Sequence, residues 1–377
     1  MIKSDKISRT YREAVMSGAL LTKVEEAIKG YKDPYLQLDL LAIGAVSKLE
    51  VVGDQVTLEV CLKYPSEYLQ DGIEQMLKVA IENIDEIETA NVTVGWLVEP
   101  HKAHDNLASI AHVKNIIAVA SGKGGVGKST TAVNLALALL KDGARVGILD
   151  ADIYGPSIGM MLGVAEGTRP ETVNDKFFKP VIAQGLQSMS MAYMITDKTP
   201  VVWRGPMVSG ALQQLITQTV WDDLDYLVID MPPGTGDIQL TLSQKIPVSA
   251  SVVVTTPQDI ALLDAKKGIE MFNKVNIPVL GVIENMSIHI CGNCGHVEHI
   301  FGEGGAKRIA QEFGTEILGA LPLSKYIREQ SDSGLPVVAA DDEGELAMMY
   351  RNIGRSLAAK LSCLSADQVP EIQITDD

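Results

Sequence analysis

The residues best suited to carry chemistry lie in a glycine-rich stretch in the first half of the chain. Residues 122–129 read G-x-x-x-x-G-K-S, after an apolar run over 116–119 and before an alanine- and leucine-rich stretch over 130–141. This pattern predicts a buried strand, a loop and a helix, in that order. Inward-pointing backbone N–H groups and the positive end of the helix together bind phosphate. We therefore predict a phosphate-binding loop; the alternative is a glycine-rich turn that binds nothing.

Two side chains of this loop have distinct expected roles. Lys128 is expected to contact the β- and γ-phosphates of a nucleotide, and the Ser129 hydroxyl is expected to be a ligand of Mg²⁺. The other loop residues that we predict to bind the nucleotide are Gly122, Lys123, Gly124, Gly125, Val126, Gly127 and Thr130.

A second lysine, Lys123, follows directly after the first glycine of the loop. This arrangement resembles the deviant phosphate loop of the MinD/ParA/nitrogenase-iron-protein class of dimeric ATPases. The resemblance implies that Lys123 reaches the nucleotide of the facing subunit, where a cation on the developing negative charge acts as an arginine finger does. The alternative is a lysine on a solvated turn.

Two acidic positions follow later apolar runs. Asp152 comes just after the run RVGIL, and we assign it a water-positioning role, with Asp150 in a weaker supporting role. A helix cap or a turn aspartate is the alternative for either residue. Asp230 ends the run YLVID, the Walker B pattern, and is expected to bind the Mg²⁺ shell through water. The N–H of Gly234, in the loop that follows, could sense the γ-phosphate. Lys123, Lys128 and Asp152 form the predicted catalytic set.

Asn285 closes a later predicted strand. An amide side chain can read both the donor and the acceptor edge of a purine. Taken alone, the residue would be interpreted as a turn asparagine. The resemblance to the ATPase class supplies most of its assignment to base recognition.

A C-x-x-C pair, Cys291 and Cys294, follows Asn285 closely. Its glycines allow two thiolates to point at one centre, but tetrahedral sites need four ligands. Either other residues of the chain complete the site, or a two-fold axis brings in the pair of a second chain. A redox C-x-x-C normally opens a helix of a thioredoxin-like unit, and that setting is missing here. A zinc knuckle that holds a dimer together remains an alternative.

Composition limits the function classes. The chain has 377 residues, and its 32 lysines and arginines stand against 48 acids, a formal net charge of −16. This balance argues against non-specific nucleic-acid binding and against attachment to an anionic membrane. No run of about 20 apolar residues occurs, and the four cysteines are too few for a disulfide framework. We expect a cytoplasmic protein without nucleic-acid or membrane partners.

The chain is predicted to contain two domains. Residues 1–98 read as a small α+β domain, 99–113 as a linker, 114–365 as an α/β domain, and 366–377 as an acidic tail. Regular alternation of strands and helices in the larger domain predicts a mostly parallel sheet covered by helices on both faces. Ligands of such sheets bind at the carboxyl ends of the strands, where the residues singled out above lie.

Several motifs together resemble the Mrp/ApbC family of iron–sulfur cluster carrier ATPases. They are the phosphate loop, DADIYGPS, WRGPM, DMPPGTGD, TTPQD, Asn285–Ser287 and the C-x-x-C. The first domain resembles the iron–sulfur-assembly domain often fused ahead of such ATPases, with Tyr64 where many of those domains have a cysteine. The resemblance implies a homodimer that hydrolyses ATP with Mg²⁺. It also implies a [4Fe-4S] cluster shared between two C-x-x-C pairs, with cluster scaffold proteins and apo iron–sulfur proteins as partners.

Two other functions remain in view. One is a zinc-stapled dimeric targeting chaperone whose ATP cycle opens and closes a groove. The other is a positioning ATPase of the MinD/ParA kind, against which both the acidic composition and the C-x-x-C count.

Overall fold

The structure is a computed structural model that describes residues 18–101, 107–194 and 205–364. Within these residues, no helix is long and apolar enough to span a membrane. The chain divides into two compact units between Val98 and Glu99. The predicted acidic tail and the first two residues of the WRGPM motif lie outside the described residues.

The first unit is a three-stranded sheet with helices. Its elements are α1 (18–30), β1 (Val46–Val52), β2 (Gln55–Leu62), α2 (Gln70–Glu82) and β3 (Thr89–Trp96). Strand β2 lies in the middle, antiparallel to β1 and parallel to β3. Every second side chain of β2, from Val56 to Leu62, is buried, as strand alternation requires. Tyr64, also buried, donates a hydrogen bond to the Asp33 carboxylate. The α+β prediction for this unit is confirmed.

The second unit contains the remaining strands. They are β4 (Val113–Ala120), β5 (Val146–Asp150), β6 (Thr172–Val173), β7 (Phe177–Phe178), β8 (Val181–Ala183), β9 (Leu186–Ser190), β10 (Leu224–Asp230), β11 (Ala250–Thr255), β12 (Val279–Glu284), β13 (His289–Ile290), β14 (Val297–Glu298) and β15 (Ile317–Ala320). Eight of them form one sheet in the order β15-β12-β11-β4-β10-β5-β9-β8. Only the edge pair β8–β9 of that sheet is antiparallel. The predicted mostly parallel sheet is confirmed.

Helices of this unit fall into two packed groups. The helices are α3 (Lys128–Lys141), α4 (Ile158–Met161), α5 (Gly205–Gln218), α6 (Asp237–Lys245), α7 (Asp259–Lys274), α8 (Gly305–Phe313), α9 (Lys325–Asp332), α10 (Val337–Ala340) and α11 (Glu345–Ser362). One group joins α3, α10 and α11, and the other joins α5, α6, α7 and α8. Ile116 and Ala118 of β4 enter the core that α5 to α8 cover, while Ile117 between them is equally buried. Because both faces of β4 are buried over 116–120, that part of the strand is a continuous apolar run.

Helix α3 is fixed at its far end by a buried ion cluster. The Asp142 carboxylate, just after α3, accepts hydrogen bonds at 2.6 Å from the guanidinium groups of Arg351 and Arg355 on α11. All three side chains are almost fully buried. A buried carboxylate paired with two guanidinium groups is costly to separate. The cluster therefore holds the helix that carries the phosphate loop at its other end.

Candidate functional site

The glycine loop joins the carboxyl end of β4 to the amino end of α3. Strand β4 lies between β11 and β10, so the loop emerges near the centre of the sheet edge. Gly127 has a φ of 81°, which favours glycine. Gly122 has a different reason to be glycine, because an added Cβ would come within 2.1 Å of the Asp264 carbonyl carbon on α7. The loop is therefore shaped both by its own turn and by the close approach of α7.

Lys128 and Asp230 form a buried ion pair at the base of the loop. The ammonium contacts Asp230 Oδ1 and lies 3.3 Å from Ser129 Oγ. Asp230 is fully buried, and its Oδ2 has no hydrogen-bond partner within the described part of the chain. Carboxylate and hydroxyl oxygens are the ligands that Mg²⁺ prefers. Asp230 and Ser129 therefore fit the predicted magnesium site.

Two buried acids at this sheet edge, Asp150 and Asp230, have raised pKa values. Burial raises the pKa of Asp230, and the neighbouring Lys128 opposes the increase. Burial, together with the charge of Asp230, raises the pKa of Asp150 to about 7. A bound divalent cation would lower both pKa values, because it favours the charged form of each acid. The electrostatics of the site therefore also fit a magnesium ion.

Asp150 and Asp152 have separate tasks. Asp150 Oδ2 accepts the backbone N–H groups of Ser157 at 2.9 Å and Ile158 at 3.1 Å, and Asp150 Oδ1 accepts that of Asp152 at 3.1 Å. Asp150 thus shapes the turn after β5, as in the alternative of a turn aspartate. The turn places Asp152 on the wall of a cavity of about 220 Å³ that Lys128 and Ser129 also line. Asp152 therefore lies where its predicted role requires a carboxylate.

Lys123 lies on the same cavity wall. Its side chain is half-buried, and it makes no ion pair with any residue of the described ranges. Its carbonyl accepts a hydrogen bond from Ser121 Oγ at 2.9 Å. The structure therefore presents a cation at the cavity that the described residues leave unpaired, and a role of Lys123 toward a second subunit stays a prediction.

Asn285 and Gly234 both contact the phosphate loop. Asn285 Nδ2 donates to the Val126 carbonyl at 2.8 Å, although 159 positions separate the two residues. The N–H of Gly234 donates to the Ser121 carbonyl at 3.0 Å, so sensing of a γ-phosphate by this group would require that bond to break. Base recognition by Asn285 stays a prediction.

The cysteine pair lies on a small hairpin formed by β13 and β14. The Cys291 N–H donates to the His296 carbonyl, and the Gly295 N–H donates back to the Cys291 carbonyl, both at 2.9 Å. Cys291 is half-buried and Cys294 is exposed. The backbone N–H groups of Asn293 and Cys294 hold the pKa of the Cys291 thiol below its usual value. The hairpin therefore favours the thiolate form of Cys291, which is the form that metals bind.

Further ligands for this pair are missing within the part of the chain that the structure describes. No group of three or more histidine, cysteine or acidic side chains there could hold a metal ion. The nearby histidines instead face acids: His296 Nε2 lies 3.6 Å from Glu298 Oε1, and His299 Nε2 lies 3.3 Å from Glu303 Oε2. Two thiolates form half of a tetrahedral site. The ligands that complete the site therefore come from outside the residues that the structure describes.

Exposed apolar side chains surround the cysteines, a feature absent from our sequence-based predictions. Ile290, Val297 and Ile300 expose 46%, 49% and 51% of their surface, respectively. Apolar residues grouped on an exposed hairpin are typical of a surface that another protein covers. Their positions were the available signal, one directly before Cys291 and two at three and six positions after Cys294, although hairpin strands of two residues are too short to predict.

Comparison with known proteins shows the same two parts. A family model described as NUBPL iron-transfer P-loop NTPase matches residues 112–358, and one described as iron–sulfur cluster assembly protein matches residues 21–94. The iron-sulfur cluster carrier protein of Pseudomonas fragi is 64% identical over 278 residues, which cover 74% of this chain and 97% of that protein. The carrier protein of Escherichia coli K12 is 48% identical over 343 residues, 91% of this chain and 93% of that one.

A solved structure shares the fold of the second unit. It is a nucleotide-binding protein from Archaeoglobus fulgidus in complex with ADP, 37% identical, with a TM-score of 0.53, covering 59% of this chain and 87% of that chain. The resemblance inferred from the motifs is thereby confirmed. The chain belongs to the family of the NUBPL-type iron-transfer P-loop NTPases and the bacterial iron–sulfur cluster carrier proteins.

Proposed function

We propose that this protein hydrolyses ATP and carries a [4Fe-4S] cluster between two copies of the chain for delivery to apo-proteins. The observation that carries the proposal is the pair of half-buried Cys291 and exposed Cys294, whose ligand set is half complete within the described residues. A [4Fe-4S] cluster needs about four thiolates. Two pairs related by a two-fold axis supply them, because an isologous contact places the same residue of each chain near the axis.

The nucleotide half of the proposal assigns a task to each group at the cavity. Lys128 leaves Asp230 to contact the phosphates, and Ser129 and Asp230 hold Mg²⁺, which would neutralise phosphate charge when bound. Asp152 orients the attacking water. Lys123 acts on the nucleotide of the other copy, which agrees with its unpaired position at the cavity wall.

Two observations support a homodimer. The cysteine pair and Lys123 both need a second chain to complete their proposed tasks. The exposed Ile290, Val297 and Ile300 beside the cysteines offer apolar surface for such a contact. The cluster then stabilises the dimer by mass action, because it binds only the assembled form.

Partners follow from the cargo. We infer that cluster scaffold proteins load the carrier and that apo iron–sulfur proteins receive the cluster, in the cytoplasm. The net charge of −16 supports neither nucleic acid nor an anionic membrane as a partner.

Oxygen-free reconstitution with iron and sulfide tests the proposal. The expected product is a dimer with four irons per two chains and a broad absorption band near about 400 nm from thiolate-to-iron charge transfer. Light scattering on a sizing column gives the mass, and iron analysis gives the stoichiometry. Four irons on a monomer would contradict the shared site. A colourless dimer that retains zinc would favour the zinc-stapled chaperone instead.

A further inference from the structure

We propose that Asn285 is a positioning residue that holds the phosphate loop in its phosphate-binding shape, acting through the carbonyl of Val126. This role is separate from recognition of a base, and it rests on the nucleotide half of the proposed function. It assigns to Asn285 an effect on any ligand that carries phosphates, with or without a base.

The contact lies directly beside Lys128. Asn285 Nδ2 donates to the Val126 carbonyl at 2.8 Å, and both side chains are buried. The same nitrogen lies 2.1 Å from where a Cβ on Gly127 would stand. The amide thus packs against the two residues that precede the phosphate-binding lysine, and it leaves room only for glycine at position 127.

The direction of one backbone N–H follows from this contact. In a trans peptide the carbonyl and the next N–H point to opposite sides, and the described chain contains no cis peptide. When Asn285 holds the Val126 carbonyl, the Gly127 N–H therefore points away from Asn285. Gly127 is also one of the residues that line the cavity next to Lys128 and Ser129. In the proposed role, the contact from Asn285 therefore directs this backbone donor toward the space where phosphate is expected.

The amide itself is held in place. Asn285 Oδ1 accepts the Met286 N–H at 3.0 Å, which leaves Nδ2 to face the loop. The Asn285 N–H donates to the Thr255 carbonyl at 2.8 Å, at the end of β11. Met286 has a φ of 57°, a left-handed conformation that is unusual for a side chain of this kind. The ends of β11 and β12 therefore hold the Asn285 amide that contacts the loop.

A ligand without a base separates the two roles. Binding of Mg²⁺–tripolyphosphate and of Mg²⁺–ATP to the full chain is measured by calorimetry for wild type, Asn285→Ala and Asn285→Leu. Leucine keeps the number and the branching of the side-chain heavy atoms of asparagine and removes both polar atoms, and alanine removes the whole amide. Loss of one buried hydrogen bond that shapes the site should weaken both ligands by about tenfold. The preference for ATP over GTP should be the same as in wild type.

Ser287→Ala is the matched control. Ser287 is buried on the same segment, and its hydroxyl donates to the Leu321 carbonyl at 3.0 Å rather than to the loop. We expect this variant to bind both ligands as wild type does. Thermal melts of all variants report folding.

Three results would overturn the inference. Weaker ATP binding with unchanged tripolyphosphate binding would mean that Asn285 reads only the base. Unchanged binding of both ligands would mean that the contact does not matter. Equal weakening in Ser287→Ala would assign the effect to the segment as a whole. A wild-type protein that binds neither ligand would refute the nucleotide half of the proposed function as well, so the two failures are distinguishable.

Discussion

The phosphate loop and the cysteine hairpin are built in opposite ways. The loop lies between the central strand β4 and helix α3, and long-range contacts from Asn285 and Asp264 hold it. The hairpin has strands of two residues, paired as His289 with Glu298 and Ile290 with Val297, and a single bridge joins His289 to Leu323. A site that works within one chain can be enclosed by that chain. A site that must be shared with a partner has to remain exposed.

The phosphate loop and the cysteine hairpin also differ in their electrostatics. At the loop, burial raises the pKa values of Asp150 and Asp230, so a bound cation would favour the charged form of both acids. At the hairpin, the backbone N–H groups of Asn293 and Cys294 lower the pKa of Cys291, which favours the thiolate. Under the proposed function, the nucleotide enters a cavity that one chain already forms, whereas the cysteine site is completed by the cysteine pair of a second chain.

Replacing a cysteine of the hairpin should have the largest effect. It should remove cluster binding and leave nucleotide binding unchanged. We expect Cys291→Ser or Cys294→Ser to lose the reconstituted cluster, because two pairs then provide fewer than about four thiolates. ATP binding should remain. Iron analysis and calorimetry measure the two properties. Cys363→Ser, at an exposed cysteine at the end of α11, is the control and should retain the cluster. Loss of ATP affinity in the hairpin variants would show that the regions are not independent.

Lys128→Ala should give the opposite separation. Loss of a charge-assisted contact to phosphates should weaken ATP binding by at least about 100-fold, while cluster reconstitution continues. Lys123→Ala is the comparison, because Lys123 is proposed to act across the dimer and late in the cycle. It should slow hydrolysis and leave affinity nearly unchanged. Equal losses of affinity in the two variants would refute the distinction between the lysines.

Asp152→Asn should act on hydrolysis alone. The amide keeps the shape of the side chain and removes the charge that orients water. Turnover should fall by roughly 100-fold, as when one polarising group is lost. Phosphate release and ATP binding are measured side by side. Unchanged turnover would move the role to another residue.

Asp150→Asn should have the smallest effect, on the pH dependence of stability. Its pKa in the folded chain is about 7, above the unfolded value of 3.8, so the folded state binds more protons between these values. The stability contributed by this group is therefore full below about pH 4 and is lost as pH rises toward 7. The melting temperature of the nucleotide-free wild type should fall over this range more steeply than that of Asp150→Asn.

Asp223→Asn is the control for this prediction. Asp223 is exposed, and a hydrogen bond from His112 lowers its pKa, so its effect lies at lower pH. Parallel curves for wild type and Asp150→Asn would contradict the assignment of the neutral-pH titration to Asp150.

Sequence patterns predicted the frame of the site well. The turn from β4 into α3 depends on contiguous residues, and Asp150 and Asp230 were expected at one edge because parallel strands end together. The separate roles of the two acids in the DADI stretch, Asp150 and Asp152, were harder to predict from the sequence. Sequence suggested a supporting role in water positioning for Asp150, whereas the structure turns its carboxylate inward onto three backbone N–H groups. Which of two nearby acids points inward depends on packing of the segment that follows.

The sequence by itself determined the family, the alternation of strands and helices in the larger domain, and the presence of a phosphate loop and a cysteine pair. These depend on local spacing and on apolar periodicity, which are read directly from neighbouring residues. Only the tertiary structure decided that Asn285 holds Val126, that α7 requires glycine at position 122, and that the cysteines lie among exposed apolar side chains. The first two features join residues far apart in the chain, and the third depends on which side chains the packing leaves exposed. Their geometry is therefore set by packing between elements, which local spacing does not encode.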